Sequence, residues 1–412
     1  MTPVSPMLAA ALAILLAAQP AEARSDRVQS VGSMTFADAD TLVVSDWRAG
    51  ELHALTLPPA HGTGKPFNLS DVSSSIAKAL HTQPDKLRFE DLAFRPDAEM
   101  AYISLSVLRA TGSPAPAIVA VDASGHVSAI DLAKTRHASV PIASVPSADK
   151  MLWRDVPEAT LTVTNMTVHD KKLYVAGLSN ASFASTLRIY DLPLVAAGTA
   201  TSIEMYHPVH NQLETRAPIR EMTIVSLDGE PTLVAAFTCT PLVTIPLKDL
   251  KDGAHVVAKT VGELGWGSAP VGMVSYDTEQ GPVIVLANSR KAADLLSVAD
   301  IAKASAQPGL KTPIKWPTDP LLGVKAIYLP IASVARIGIQ DKDFLAALRR
   351  NEESGAMELV SMRKGAFLRL SDFVNEYDFA DYRYPPDDGW HGVHHQLRTD
   401  EGYPDLAVRA QQ

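Results

Sequence analysis

Short apolar runs, each closed by Gly, Pro, Asp or Asn, recur along most of the chain, and helical spacing is nearly absent. Runs of this kind, rich in β-branched residues and bounded by turn formers, predict strands. One segment breaks the pattern. Residues 71–81 (DVSSSIAKALH) put Val72, Ile76, Ala79 and Leu80 on one helical face behind Ser70 or Asp71, which predicts a short capped helix.

The strands come in sets. Ser33-Met34-Thr35-Phe36 precedes Leu42-Val43-Val44-Ser45 and Glu51-Leu52-His53-Ala54-Leu55. Comparable sets open at Asp91-Leu92, Asn165-Met166, Glu221-Met222 and Gly272-Met273, with a weaker one at Val334-Ala335. Taking Met34, Leu92, Met166, Met222, Met273 and Ala335 as equivalent gives spacings of 58, 74, 56, 51 and 62 residues. Short strands repeating at this period predict propeller blades. The chain is therefore expected to be all-β, a six-bladed β-propeller over residues 28–362. Seven blades are the alternative, because residues 126–145 inside the 74-residue gap are also β-rich. The unit reads as an apolar triplet, a turn, Leu-Tyr-Val-Ala/Ser, a turn, then Leu-x-x-Tyr/Leu-Asp-Leu. It resembles the extracytoplasmic propellers of the broad NHL, YVTN and gluconolactonase type. The resemblance implies architecture; propellers host binding, scaffolding and catalysis alike.

Both ends differ from the repeat. Residues 7–18 (MLAAALAILLAA) form an apolar run too short to cross a bilayer, followed by Ala21-Glu22-Ala23. That is the layout of a cleaved signal peptide over residues 1–23, with the mature chain starting at Arg24 in the periplasm or outside the cell. No later run is long enough for a membrane helix. Residues 363–412 are acidic and aromatic, broken by Pro385-Pro386 and Gly389. This irregular extension reads as a strap on the propeller flank or as a docking segment for a protein partner.

A formal net charge of −9, with Lys and Arg scattered, argues against nucleic acid as a partner. The single cysteine, Cys239, excludes an internal disulfide and leaves burial, an intermolecular bridge or a ligand role.

Two constellations carry candidate chemistry. The residues just before the inner apolar positions, Ser33, Asp91, Asn165, Glu221 and Gly272, share one mouth of a propeller's channel. The likeness to gluconolactonase-type enzymes implies that Asp91, Asn165 and Glu221 hold a hard cation such as calcium. A water-filled polar mouth is the plainer reading, and no EGP-type motif precedes Asp91. The second constellation is EMYHPVHNQLETR, residues 204–216, with His207, His210 and Glu214. Its loop and Cys239 are expected on the same rim. Two imidazoles and a thiol, with Met205, Met222 or Glu214 as a fourth donor, suit copper or zinc. Against this, Pro208 excludes a helix, so the spacing alone does not force convergence, and loop histidines are often only solvated. His391, His394 and His395 form a further cluster in the tail.

Nucleophile-elbow, phosphate-loop and haem-attachment motifs are missing; GWGS at 265–268 lacks a strand-to-helix setting. The expectation is an exported propeller that binds a metal or small molecule at its channel-mouth face. A metal-dependent lactonase or esterase-like hydrolase is one alternative. A scaffold for a protein partner, through a propeller face or the tail, is the other.

Overall fold

A computed structural model describes residues 27–365, except 63, 153–154, 266 and 316–317, together with 379 and 381–383. The expected leader over residues 1–23 and most of the extension, including His391, His394 and His395, lie outside the described residues.

In chain order the elements are β1 (Met34–Phe36), β2 (Thr41–Asp46), β3 (Glu51–Thr56), β4 (Asn68–Leu69), α1 (Val72–Ala79), β5 (Leu87–Arg95), β6 (Met100–Val107), β7 (Ala115–Val121), β8 (Val127–Ala129) and β9 (His137–Pro141). Next come β10 (Asn165–His169), β11 (Lys172–Leu178), β12 (Ser185–Asp191), β13 (Thr199–His207), β14 (Gln212–Glu214), β15 (Glu221–Leu227), β16 (Glu230–Ala236), β17 (Pro241–Pro246) and β18 (His255–Glu263). The last group is β19 (Pro270–Thr278), β20 (Gly281–Asn288), β21 (Ala293–Ser297), α2 (Val298–Ser305), β22 (Ile327–Leu329), β23 (Val334–Ile339), β24 (Phe344–Arg350) and β25 (Met357–Arg363).

Local chemistry sets these boundaries. The β15–β16 hairpin turns on Asp228 (φ 50) and Gly229 (φ 85), two consecutive left-handed residues of the kind that match the twist of the flanking strands. Helix α1 starts where the Asp71 carboxylate accepts from Ser74 N at 2.9 Å. The second strands are buried almost end to end, as in β2 and β16, because sheets cover them on both faces.

The strands pair into four sheets of four and one of nine, in a propeller-like arrangement. The small sheets run β1-β2-β3-β9, β5-β6-β7-β8, β19-β20-β21-β22 and β23-β24-β25-β4. The large one runs β10-β11-β12-β13-β18-β17-β16-β15, with β14 added to β13. Its β13 and β18 pair in parallel, Met205 opposite Ala258, and its end strands β10 and β15 lie against each other. The sheet therefore curls nearly into a barrel around Ile203, Met205, Met222, Leu233 and Phe237. The first strands neighbour one another in the order β1, β5, β23, β19, β15, β10 and back to β1.

Two outer strands come from unexpected places. β9 follows the second sheet but completes the first, and β4 precedes the second sheet but completes the last. The chain's late part is thereby fastened to its early part: Phe67 N donates to Ser361 Oγ at 2.6 Å, and Ser361 N donates to Phe67 O at 2.9 Å. Residues 126–145, the candidate seventh repeat, are used as the outer strands β8 and β9.

Bulges correct the repeat register. Before the inner apolar residue, β5 slips between Phe89 and Asp91, β19 between Pro270 and Gly272, and β23 between Val334 and Arg336. Pairing places Leu92 opposite Ile103, Met273 opposite Leu286 and Ile337 opposite Ala347. The residue equivalent to Leu92 and Met273 is thus Ile337, and Ala335 is the extra residue of a bulge. Glycine is required where β19 and β23 meet: a Cβ on Gly272 would stand 2.6 Å from the Ile337 side chain. No helix among the described residues is long and apolar enough to cross a membrane.

Candidate functional site

His207 is the last residue of β13, not a loop residue as its Pro208 neighbour suggested. Along β13 the buried residues alternate as Ile203, Met205 and His207, so the imidazole ends an apolar stripe. β14 folds back antiparallel with Glu214 opposite Met205 and Gln212 opposite His207. Directly opposed residues share a face, which puts Glu214 beside His207. The connecting turn is held by Tyr206 Oη donating to Asn211 Oδ1 at 2.9 Å and Ile314 N donating to Pro208 O at 3.1 Å. It swings His210 over His207, with ring centroids 3.9 Å apart.

The result is a tight group. His207 Nδ1 lies 2.9 Å and His210 Nδ1 2.5 Å from the same Glu214 Oε1. Each of the three residues offers a ligand atom within 4.8 Å of the others. His207 is 1% exposed, whereas His210 is 41% exposed and reaches solvent. Burial would raise the Glu214 pKa, but hydrogen bonds from both imidazoles outweigh it and hold the carboxyl below its usual range.

A fourth residue, Glu263 at the end of β18, was not foreseen. Its Oε2 lies 3.8 Å from His207 Nε2, too far for a hydrogen bond, and both atoms are buried without a partner. Burial pushes its pKa up to about 7, a rise the Glu214 charge reinforces and the Gly265 N–H and Lys291 oppose. Only the parallel β13–β18 pairing brings Glu263 here, and nothing in its sequence context signals that pairing.

Cys239 is on the expected end of the sheet, since Pro241 just beyond it pairs with Glu263. It sits half-buried at φ 66 in the β16–β17 turn, where its N–H donates to Ser268 O. Its thiol is not in the donor group. Met205 and Met222 are both buried in the apolar core of the nine-stranded sheet.

No family model matches the chain, and no curated protein matches it. Among solved structures, a chain of Kuenenia stuttgartiensis hydrazine synthase is similar over 85% of this chain and 99% of that one, at 12% identity and a TM-score of 0.33. A likeness at that level says nothing about the chemistry of the site.

Asp91, Asn165 and Glu221 also come together, joined by a residue the repeat register had misplaced. The bulge in β23 puts Arg336 at the position equivalent to Asp91, Asn165, Glu221 and Gly272. Arg336 Nε lies 3.3 Å from Asp91 Oδ1, and Met34 N donates to Asp91 Oδ2 at 2.7 Å. Asn165 Nδ2 donates to Glu221 Oε2 at 2.7 Å. Burial pushes the Glu221 pKa up to about 8, with the Asp91 charge adding to the rise and Arg336 and Arg220 opposing it. Burial likewise raises the Asp91 carboxyl, against the pull of Arg336 and two backbone N–H groups.

Proposed function

We propose that this chain is an exported, propeller-type binding protein whose ligand is a borderline divalent cation, zinc above all, held by His207, His210 and Glu214. The nine-stranded sheet reads as two blades joined through β13 and β18, which makes the ring six-bladed. Export rests on the apolar run at residues 7–18 and the cleavage site before Arg24.

One observation carries the metal reading: the partnerless pair of His207 Nε2 and Glu263 Oε2. A carboxylate only accepts, so with Nδ1 facing Glu214 the neutral His207 ring keeps its hydrogen on Nδ1 and leaves Nε2 bare. When Glu263 is ionised, two buried acceptors then face each other across 3.8 Å, an unfavourable arrangement. A cation at Nδ1 would displace that hydrogen to Nε2, where Glu263 can accept it. This is the outer-shell carboxylate that metal-binding imidazoles generally require. The donor set of two imidazoles and a carboxylate, without the Cys239 thiol, suits zinc. Three protein donors, with His210 open to solvent, leave a position for water or an external ligand.

The alternative calcium-dependent hydrolase on Asp91, Asn165 and Glu221 ranks second. Arg336 already supplies positive charge to Asp91. The test is calorimetric titration of zinc into the apo protein at pH 7. One ion per chain is expected, with Glu263→Gln weakening binding by about 10- to 100-fold, the usual loss for an outer-shell partner. Equal affinity in wild type and His210→Ala would dismiss the site.

A further inference from the structure

A cleft of about 540 Å³ opens between α2 and residues 323–325. Val261, Pro308, Leu310 and Val324 give it an apolar lining, and Lys303 and Lys325 stand among them. Lys303 is shared with Asp300 at 2.9 Å, whereas Lys325 has no ion pair with any described residue. One wall also offers free backbone. Gly323 lies opposite Gly262, and the bonds on either side run from Val324 N to Val261 O and from Glu263 N to Leu322 O. Gly323 is thus a non-hydrogen-bonded position that turns its own N–H and C=O away from β18, and no described residue bonds them. A partly apolar cleft beside an unpaired strand edge suits an extended chain.

The C-terminal extension supplies an occupant of matching chemistry. Residues 372–378 (DFVNEYD) carry three carboxylates and neither Lys nor Arg. Extended, they would show Phe373 and Tyr377 on one face and Asp372, Glu376 and Asp378 on the other. Residues 298–325, which form much of the cleft, have the opposite balance, four Lys against two Asp. The extension also leaves the fold at the right end. Lys364 Nζ lies 5.1 Å from the Tyr276 ring centroid, Tyr276 pairs with Val283, and Val283 pairs with Ser297, the cap of α2. Two strand spacings, about 10 Å, therefore separate Tyr276 from the start of α2. Residues 366–378 can span about 40 Å when extended, ample for the path.

We propose that residues 372–378 dock in this cleft as a strand added to the Gly323 edge, with Phe373 and Tyr377 entering it and the carboxylates meeting Lys303 and Lys325. The cleft shares no residue with the His207, His210 and Glu214 group, so this docking stands apart from the metal reading.

Hydrogen exchange of the full chain, read by mass spectrometry, tests this. Amides of residues 372–378 should exchange at least about tenfold more slowly than in a free peptide of the same sequence. Lys303→Glu with Lys325→Glu should cut that protection by about fivefold or more, the worth of two exposed ion pairs. The melting temperature should change little, because both lysines are exposed. Adding Asp372→Lys and Glu376→Lys to that variant should restore the protection. Phe373→Ser with Tyr377→Ser should abolish it while the lysines are intact. The proposal is overturned by free-peptide exchange in the wild type, or by protection that neither the lysine reversals nor the aromatic replacements reduce. Protection that grows with protein concentration would also overturn it, since that marks a second copy as the occupant.

Discussion

Replacing Glu221 by Gln should abolish a specific part of the protein's pH dependence. Glu221 opens β15, is 8% exposed, and accepts from Asn165 Nδ2 at 2.7 Å. Gln keeps an acceptor for that amide but cannot ionise. In wild type, burial moves the carboxyl from its ordinary 4.5 up to about 8. Between those values the folded protein holds a proton that the unfolded chain has released, so stability falls as pH rises through this window and levels off above it. At about 1.36 kcal/mol per pH unit the loss reaches about 5 kcal/mol. Urea unfolding of both proteins at pH 4.5, 7 and 9, in the same salt, should show the variant gaining on wild type by about 4–5 kcal/mol across the range. A constant offset between the two would refute the reasoning, because it would mean that Glu221 ionises in the fold as easily as in water.

Further outcomes follow from the packing. Met222→Ala removes a buried side chain from the core of the nine-stranded sheet and should cost about 2–5 kcal/mol, read as a lowered urea midpoint. Arg188 is buried and donates to the carbonyls of Ala143, Thr162 and Leu178. Arg188→Leu should therefore cost about 3 kcal/mol or more by stranding three acceptors, by the same measure. Cys239 lies outside the donor group, so its alkylation rate should be unchanged by saturating zinc; protection would bring the thiol back as a ligand.

Much of the fold was legible because inner strands carry their own signal. Met34, Leu92, Met166, Met222 and Met273 all lie buried on first strands, where their alternation with polar neighbours placed them. The sixth set failed by two residues. Its β-bulge inserts Ala335, and a bulge leaves no mark in a hydrophobic pattern that only counts positions. Arg336 was missed for that reason alone. The outer strands were illegible for a different one: β4 is two residues long, and β9 pairs with β3 from beyond an intervening sheet. At the candidate site, His207, His210 and Glu214 could be named from spacing, but their convergence needed the hairpin that β14 makes with β13. Glu263 needed the parallel pairing of β13 with β18, a long-range contact that no local pattern announces.

Zinc-edge X-ray absorption on the protein loaded with one equivalent of zinc tests the central claim most directly. Two imidazole nitrogens and carboxylate or water oxygens at about 2.0–2.2 Å are the expected shell. A sulfur scatterer at about 2.3 Å, a shell without imidazole, or failure to take up zinc would each contradict the assignment to His207, His210 and Glu214.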